Sequence, residues 1–260
     1  LELRPWNHVP IGALADPLEP IPQAFLRIEP HPYLSLGAPY GVGACPFRLR
    51  HGVIGRLQEA QHRLQREHPE WALAIFDAWR PLAVQRFMVC HTITSICRER
   101  GVDPGVDSVA RQEVEAEVGR FWAPPNPDPA APPPHSTGAA VDLTLAIRKE
   151  PLADPTHIPD HPEDGACFDL LDMGSAIDAI GPVSEPDHYL QQASLQPDGE
   201  ERLRATTWHR RRQVLRSVME EAGFVQHPNE WWHFSWGDQL WAWRRGELQA
   251  LYGRVDAGEV

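Results

Sequence analysis

Apolar positions along the chain switch between helical and strand-like spacing, and the switches predict an α+β order of elements. Val53, Leu57, Ala60 and Leu64 recur at intervals of three and four, the period of one buried helix face. The short apolar run Trp71 to Phe76 reads as a central strand that delivers Arg80 from its C-terminal end. After Pro81 a second helix is predicted from Leu82 to about Arg100, with Val84, Phe87 and Met88 inward, and a third over Ser108 to Phe121. The apolar run Ala139 to Leu145 predicts another strand. A long helix is expected from Glu201 to Gly223, with Leu203, Val214, Leu215 and Val218 as core candidates and Gly223 as its stop. Phe224-Val225 then opens a hairpin-like approach to an aromatic run, Trp231, Trp232, Phe234 and Trp236, whose composition favours a strand beginning near Trp231.

Punctuation fills in the rest. Residues 1 to 50 carry Pro17, Pro20, Pro22 and Pro30 and are expected to wrap the domain as loops with short strands. Residues 123 to 134 hold seven prolines in twelve positions. Such a stretch often links domains. Here it leads straight into His135, and a cut there would separate Arg80 from the histidines beyond, so a stiff loop within a single domain spanning 1 to 260 is the expectation. The fold class that follows is α+β, with a central, mainly antiparallel sheet flanked by helices.

Composition narrows the chemistry. A chain of 260 residues with 42% hydrophobic content and ten tryptophans can bury a large core. Its net charge of −12 disfavours nucleic acid and anionic membranes as partners. Arg210-Arg211-Arg212 is read as a solvated helix face. Neither a run of about 18 apolar residues nor a signal-like N-terminus is seen, so a cytoplasmic enzyme is expected. Self-association into a homo-oligomer is left open. Cys45, Cys90, Cys97 and Cys167 are scattered without a Cys-x-x-Cys pair, which points to reduced, structural thiols.

Two motifs carry the candidate chemistry: His135-Ser-Thr-Gly-Ala-Ala-Val-Asp142 and Glu230-Trp-Trp-His233. Catalytic zinc sites take three nitrogen or oxygen ligands and keep one position open. His135, Asp142 and His233 form such a set, and Glu230 remains as a base for a metal-activated water. Taken singly, His233 beside tryptophans is more often a hydrogen-bonded core histidine. Asp142 inside an apolar strand must be paired or metal-bound, and the conjunction favours the metal. Parity sets a condition. Residues three or seven apart point to opposite faces of a regular strand, so Glu230 must lie on irregular backbone after His227-Pro228-Asn229, and Gly138 must break the path from His135 to Asp142. His157 and His161 form a rival His-x-x-x-His pair, but Pro155, Pro159 and Pro162 argue against the helix it needs.

The chain resembles the zinc D-alanyl-D-alanine dipeptidases of the vancomycin-resistance type, within the group that includes D,D-carboxypeptidases and the zinc fold of hedgehog signalling domains. Its pattern Ser-x-His-x-x-Gly-x-Ala-x-Asp is matched at His135, Gly138, Ala140 and Asp142, and Glu-x-x-His at Glu230 and His233. Asp77 to Pro81 looks like the group's arginine motif, and Leu171 to Gly174 like its Asp-Met-Gly segment. The resemblance implies one Zn2+ per chain, Glu230 as proton carrier, Arg80 as the group that holds the oxyanion, and Asp172 as a contact for the substrate's ammonium. Read on spacing alone, Arg80 would instead be a partner of Asp77. The implied activity is hydrolysis of D-alanyl-D-alanine or a related small D-amino-acid dipeptide. The alternatives are a D,D- or L,D-carboxypeptidase on peptidoglycan stem peptides and a non-catalytic zinc-stabilised binding module. Pro133 stands where the group has serine and offers neither hydroxyl nor N–H. The segment Ile147 to Phe168, rich in proline and acidic residues, is expected to alter the mouth of the site.

Overall fold

The computed structural model describes residues 3–41, 43–149 and 168–256. His157, His161, Cys167 and most of the segment between Ile147 and Phe168 lie outside the described residues. In chain order the elements are β1 (Leu18–Pro20), β2 (Leu26–Arg27), α1 (Pro32–Ser35), β3 (Arg48–Arg50), α2 (His51–Glu67), β4 (Trp71–Asp77), α3 (Leu82–Glu99), α4 (Val109–Val118), β5 (Ala140–Arg148), β6 (Phe168–Leu170), α5 (His188–Leu195), α6 (Glu200–Glu221), β7 (Val225–Gln226), β8 (His233–Ser235) and α7 (Gln239–Arg245). The main sheet runs β2-β4-β5-β8-β7, with β6 also paired to β5. Only the β2–β4 pairing is parallel among these described strands. The α+β class with a mainly antiparallel sheet is therefore the observed one.

Alternation along the two central strands separates core from site. Leu73 and Ile75 on β4, with Val141, Leu143 and Leu145 on β5, join one apolar cluster with Val53, Leu57 and Leu64 of α2 and Leu215, Val218 and Met219 of α6. Each such leucine, fully buried, contributes about 1.5 to 3 kcal/mol. A second cluster gathers Val84, Met88 and Val89 of α3, Val114 and Val118 of α4, and Tyr33, Tyr40, Phe121 and Trp122. A third joins Trp6 and Val9 to Leu240 and Trp241 of α7. Ser108 caps α4 by accepting from the Arg111 N–H at 3.3 Å. Phe87 is partly buried against the second cluster.

Three expectations are corrected here. Leu203 is exposed, because the first turn of α6 projects beyond the core. Arg212 is not part of a solvated face: it is 1% exposed and donates to the carbonyls of Met173, Val183 and Glu185 and to Ser175 Oγ, thereby holding the 173–185 loop against α6. The last aromatic strand begins at His233, two residues later than its composition suggested, because Trp231 and Trp232 form a turn. Among the described residues, no helix is long and apolar enough to cross a membrane.

Candidate metal centre

A register shift in the sheet creates the site. Ile75 pairs with Leu143, but the next pair is Asp77 with Asp142, so β4 carries a bulge at Phe76. Without it Phe76 would face Asp142. With it, two carboxylates come level, which is the re-aiming that bulges allow. On the other side of β5, Asp142 pairs with His233 of β8. His135 arrives on a 3₁₀ turn, Pro134–Thr137, that ends at Gly138 with φ +72°. A Cβ at Gly138 would press on Leu18 Cδ1, which could give way, so it is the left-handed backbone that favours glycine there. Gly138 is thus the break that lets His135 and Asp142 share a site, and Glu230 lies on irregular backbone, as parity demanded.

His135, Asp142 and His233, all buried, place one ligand atom each within 4.8 Å of one another. His135 Nε2 lies 3.2 Å from Asp142 Oδ2 and 3.1 Å from His233 Nδ1, and His233 Nδ1 lies 3.0 Å from Asp142 Oδ1. The outward nitrogens are committed elsewhere. His135 Nδ1 donates to the Ala78 carbonyl at 2.6 Å. His233 Nε2 donates to Ser235 Oγ at 3.2 Å, and that hydroxyl donates to Asp238 Oδ2 at 2.7 Å. In neutral rings these bonds leave lone pairs on the two inner nitrogens, facing each other and a carboxylate. Asp142 Oδ1 is buried without a hydrogen bond. Two imidazoles and one carboxylate in this arrangement fit a zinc-type cation. Burial opposes ionisation of Asp142, but His135 and His233 hold its carboxyl well below the usual range.

Beside this set lies a saturated ion-pair network. Asp77 faces His31 Nε2 at 3.1 Å and accepts from Tyr40 OH at 3.0 Å and from Arg80 Nε and Nη2 at 3.0 and 2.7 Å. Arg80 Nη1 donates to Gln85 Oε1 at 2.8 Å, while Nη2 reaches Tyr33 OH at 3.2 Å and Asp142 Oδ2 at 3.4 Å. Its guanidinium is flanked by the rings of Tyr33 and Trp122 at 5.0 and 4.9 Å. Burial works against its charge, yet Tyr33, Asp77 and Asp142 raise its pKa well above the ordinary value. Arg80 is thus both the partner of Asp77 and a neighbour of the candidate ligands.

Glu230 Oε2 stands 3.6 Å from His233 Nδ1 and 3.8 Å from His227 Nδ1. Burial first, then the Asp142 and Asp178 carboxylates, push its carboxyl well above the usual range. A cation at the histidine cluster would oppose that shift. Asp172 is not brought to this pocket. It is exposed, accepts from Gly174 N at 2.9 Å and Trp208 Nε1 at 2.8 Å, and shapes its own loop. Besides Asp142, the pocket is lined by Asp178, whose Oδ2 accepts from Tyr33 OH at 2.8 Å. Burial and Asp142 raise its pKa to about 7. Asp178 has φ +64°, and no sequence periodicity marks it. His227 was also missed: burial, His233 and Arg4 lower its pKa well below the usual value. The space is small, about 40 Å³, and Arg4, Trp6, Phe121, Trp122 and Ile180 help to wall it.

The family model described as D-ala-D-ala dipeptidase, peptidase M15, matches residues 28–157 and 161–250. A D-alanyl-D-alanine dipeptidase from Synechocystis sp. is 39% identical over 263 residues, covering 98% of this chain and 98% of that protein. A solved structure of a mutant of the vancomycin-resistance D,D-pentapeptidase VanY in complex with Zn(II) aligns over 93% of this chain and 96% of that one, at 12% identity and a TM-score of 0.43. The chain belongs to the D-ala-D-ala dipeptidase family of peptidase M15 and is a metallopeptidase.

Proposed function

We propose that this family member binds one zinc per chain through His135, Asp142 and His233 and hydrolyses D-alanyl-D-alanine or a closely related D-amino-acid dipeptide. The observation that carries the proposal is the meeting of the three ligand atoms with Glu230 in a pocket lined by Arg4 and Trp6. The family model and the 39% identical relative, both described as D-alanyl-D-alanine dipeptidase, favour a dipeptide over a peptidoglycan stem. Retention of Glu230 and Arg80 beside the ligands weighs against a purely structural metal, which needs neither. Free thiols at Cys45, Cys90 and Cys97 suit a reducing compartment, and a cytoplasmic site of action belongs to this proposal.

Zinc in the ligand set would polarise the scissile carbonyl and acidify a water. The chain's own residues account for the rest. Glu230 takes a proton as the water oxygen bonds to the carbonyl carbon, then gives it to the leaving nitrogen as the C–N bond breaks. Arg80, fixed by Asp77 and Gln85, stands where its charge stabilises the oxyanion without further reorganisation. Asp178, which lines the pocket and accepts from Tyr33 OH, takes the substrate's ammonium in place of Asp172 in this reading. A charged ligand there would bring its pKa back down.

Incubating zinc-loaded protein with D-Ala-D-Ala, L-Ala-L-Ala and a stem pentapeptide, while following free amine release, tests the reading. Rapid cleavage of D-Ala-D-Ala alone is expected. Preference for the pentapeptide would establish the carboxypeptidase alternative, and no cleavage of any peptide would remove both.

A further inference from the structure

We propose that Arg4 recognises the free C-terminal carboxylate of the substrate and so restricts cleavage to the last residue of a short peptide. The inference deepens the dipeptidase reading and rests on it. Arg4 forms part of the pocket wall, on the residue before the 3₁₀ turn Pro5–His8. That turn is firmly held. Trp6 is buried and meets the His227 ring edge-on at 5.6 Å. Asn7 Nδ2 donates to Gln239 Oε1 at 3.1 Å, and Gln239 Nε2 donates to the Val9 carbonyl at 2.7 Å. A side chain on such a strap loses little further freedom when it binds a ligand.

The guanidinium is under-used. Nη2 donates to the Trp122 carbonyl at 3.2 Å, whereas Nε is shut off from solvent with no hydrogen-bond partner. A buried donor without an acceptor is costly, and a carboxylate offers two oxygens in the geometry of the arginine fork. The other arginine in the pocket wall, Arg80, is already engaged by Asp77 and Gln85.

Reaction chemistry locates the receptor. In a dipeptide the carboxylate lies one carbon from the nitrogen that leaves. Glu230 must reach that nitrogen with its proton, so a carboxylate receptor has to stand near Glu230. Arg4 and Glu230 line the same pocket. Asp178, tied through Tyr33 to Arg80, is left for the ammonium at the other end of the substrate.

The test compares D-Ala-D-Ala with D-Ala-D-alaninamide, which lacks the carboxylate, on zinc-loaded wild type, Arg4→Met and Arg4→Lys. Methionine keeps an apolar stem to pack against the strap. Wild type is expected to prefer the acid. Arg4→Met should raise KM for the acid about 10- to 100-fold, with kcat, zinc content and Tm nearly unchanged, and should leave the amide unaffected. Lysine should restore part of the loss. An equal rise in KM for acid and amide would assign Arg4 to holding the strap and overturn the proposal, as would an unchanged KM. Titration with phosphinate analogues of the dipeptide, with and without the carboxylate, separates this proposal from the one beneath it. Arg4-dependent preference for the carboxylate in a protein that cleaves neither peptide would keep the recognition role and remove the dipeptidase reading. Turnover without that preference would do the reverse, and binding of neither analogue would overturn the role of Arg4.

Discussion

Asp77 and Asp142 are paired across neighbouring strands, are equally buried, and differ in what satisfies them. Asp77 sits among His31, Tyr40 and two Arg80 nitrogens. Asp142 contacts two imidazole nitrogens and the edge of Arg80, and one of its oxygens has no hydrogen bond. A buried carboxylate needs compensation of several kcal/mol. The protein supplies it for Asp77 from its own side chains, whereas around Asp142 one oxygen is left for the proposed cation. One half of the site is therefore a finished scaffold, and the other is a receptor.

Substitutions on the two halves should separate accordingly. The largest effect on turnover is expected at Glu230, which touches the receptor half without being one of its ligands. Glu230→Ala should lower kcat by about 10² to 10⁴ and keep its zinc. Loss of metal from that variant, seen by elemental analysis, would make Glu230 a ligand. Next comes Arg80, which belongs to both halves. Arg80→Ala should lower kcat by about 10² to 10³ and also cost about 3 to 5 kcal/mol of stability in denaturant melts, because Asp77 loses its cation. Asp77→Ala should reproduce the stability loss. A kcat loss with unchanged stability would show that the scaffold half is less interdependent than its hydrogen bonds imply.

The receptor half has its own support. Ser235→Ala removes the hydroxyl between His233 and Asp238, and a 10- to 100-fold fall in zinc affinity is expected in a chelator competition. Equal affinity would mean that strand pairing alone orients His233. A smaller effect, with the opposite sign for stability, is expected at Asp178. Its folded pKa, about 7, is raised above the unfolded value. The folded state therefore holds the proton more tightly, and stability falls as pH rises from about 4 toward 7. Asp178→Asn should flatten that part of the curve and raise Tm at pH 7 to 8, with a higher KM for the dipeptide. Asparagine tolerates the positive φ, so backbone strain does not confuse the result. An unchanged pH dependence of Tm would mean that another group titrates there.

The receptor half was the more legible in sequence. Metal ligation restricts residue type, so His135, Asp142, Glu230 and His233 stood out by chemistry, and strand parity even required the breaks at Gly138 and before Trp231. The scaffold half was seen only at Asp77 and Arg80. His31, Tyr33 and Tyr40 come from the loop-rich N-terminal segment, where no period foretells which side chain turns inward. The bulge at Phe76 is invisible in an apolar run. Arg212 was misread for a related reason: in a triplet of arginines, spacing cannot tell which one meets the carbonyls of a distant loop. Asp172 drew the substrate role by motif, whereas loop geometry gives the pocket to Asp178, six residues on.

Zinc content per chain after reconstitution, for wild type and His233→Ala, decides whether an outside cation completes the Asp142 half. One zinc per wild-type chain and a large loss in the variant is the expected result. No stoichiometric zinc in the wild type, or the same content in both, would contradict it.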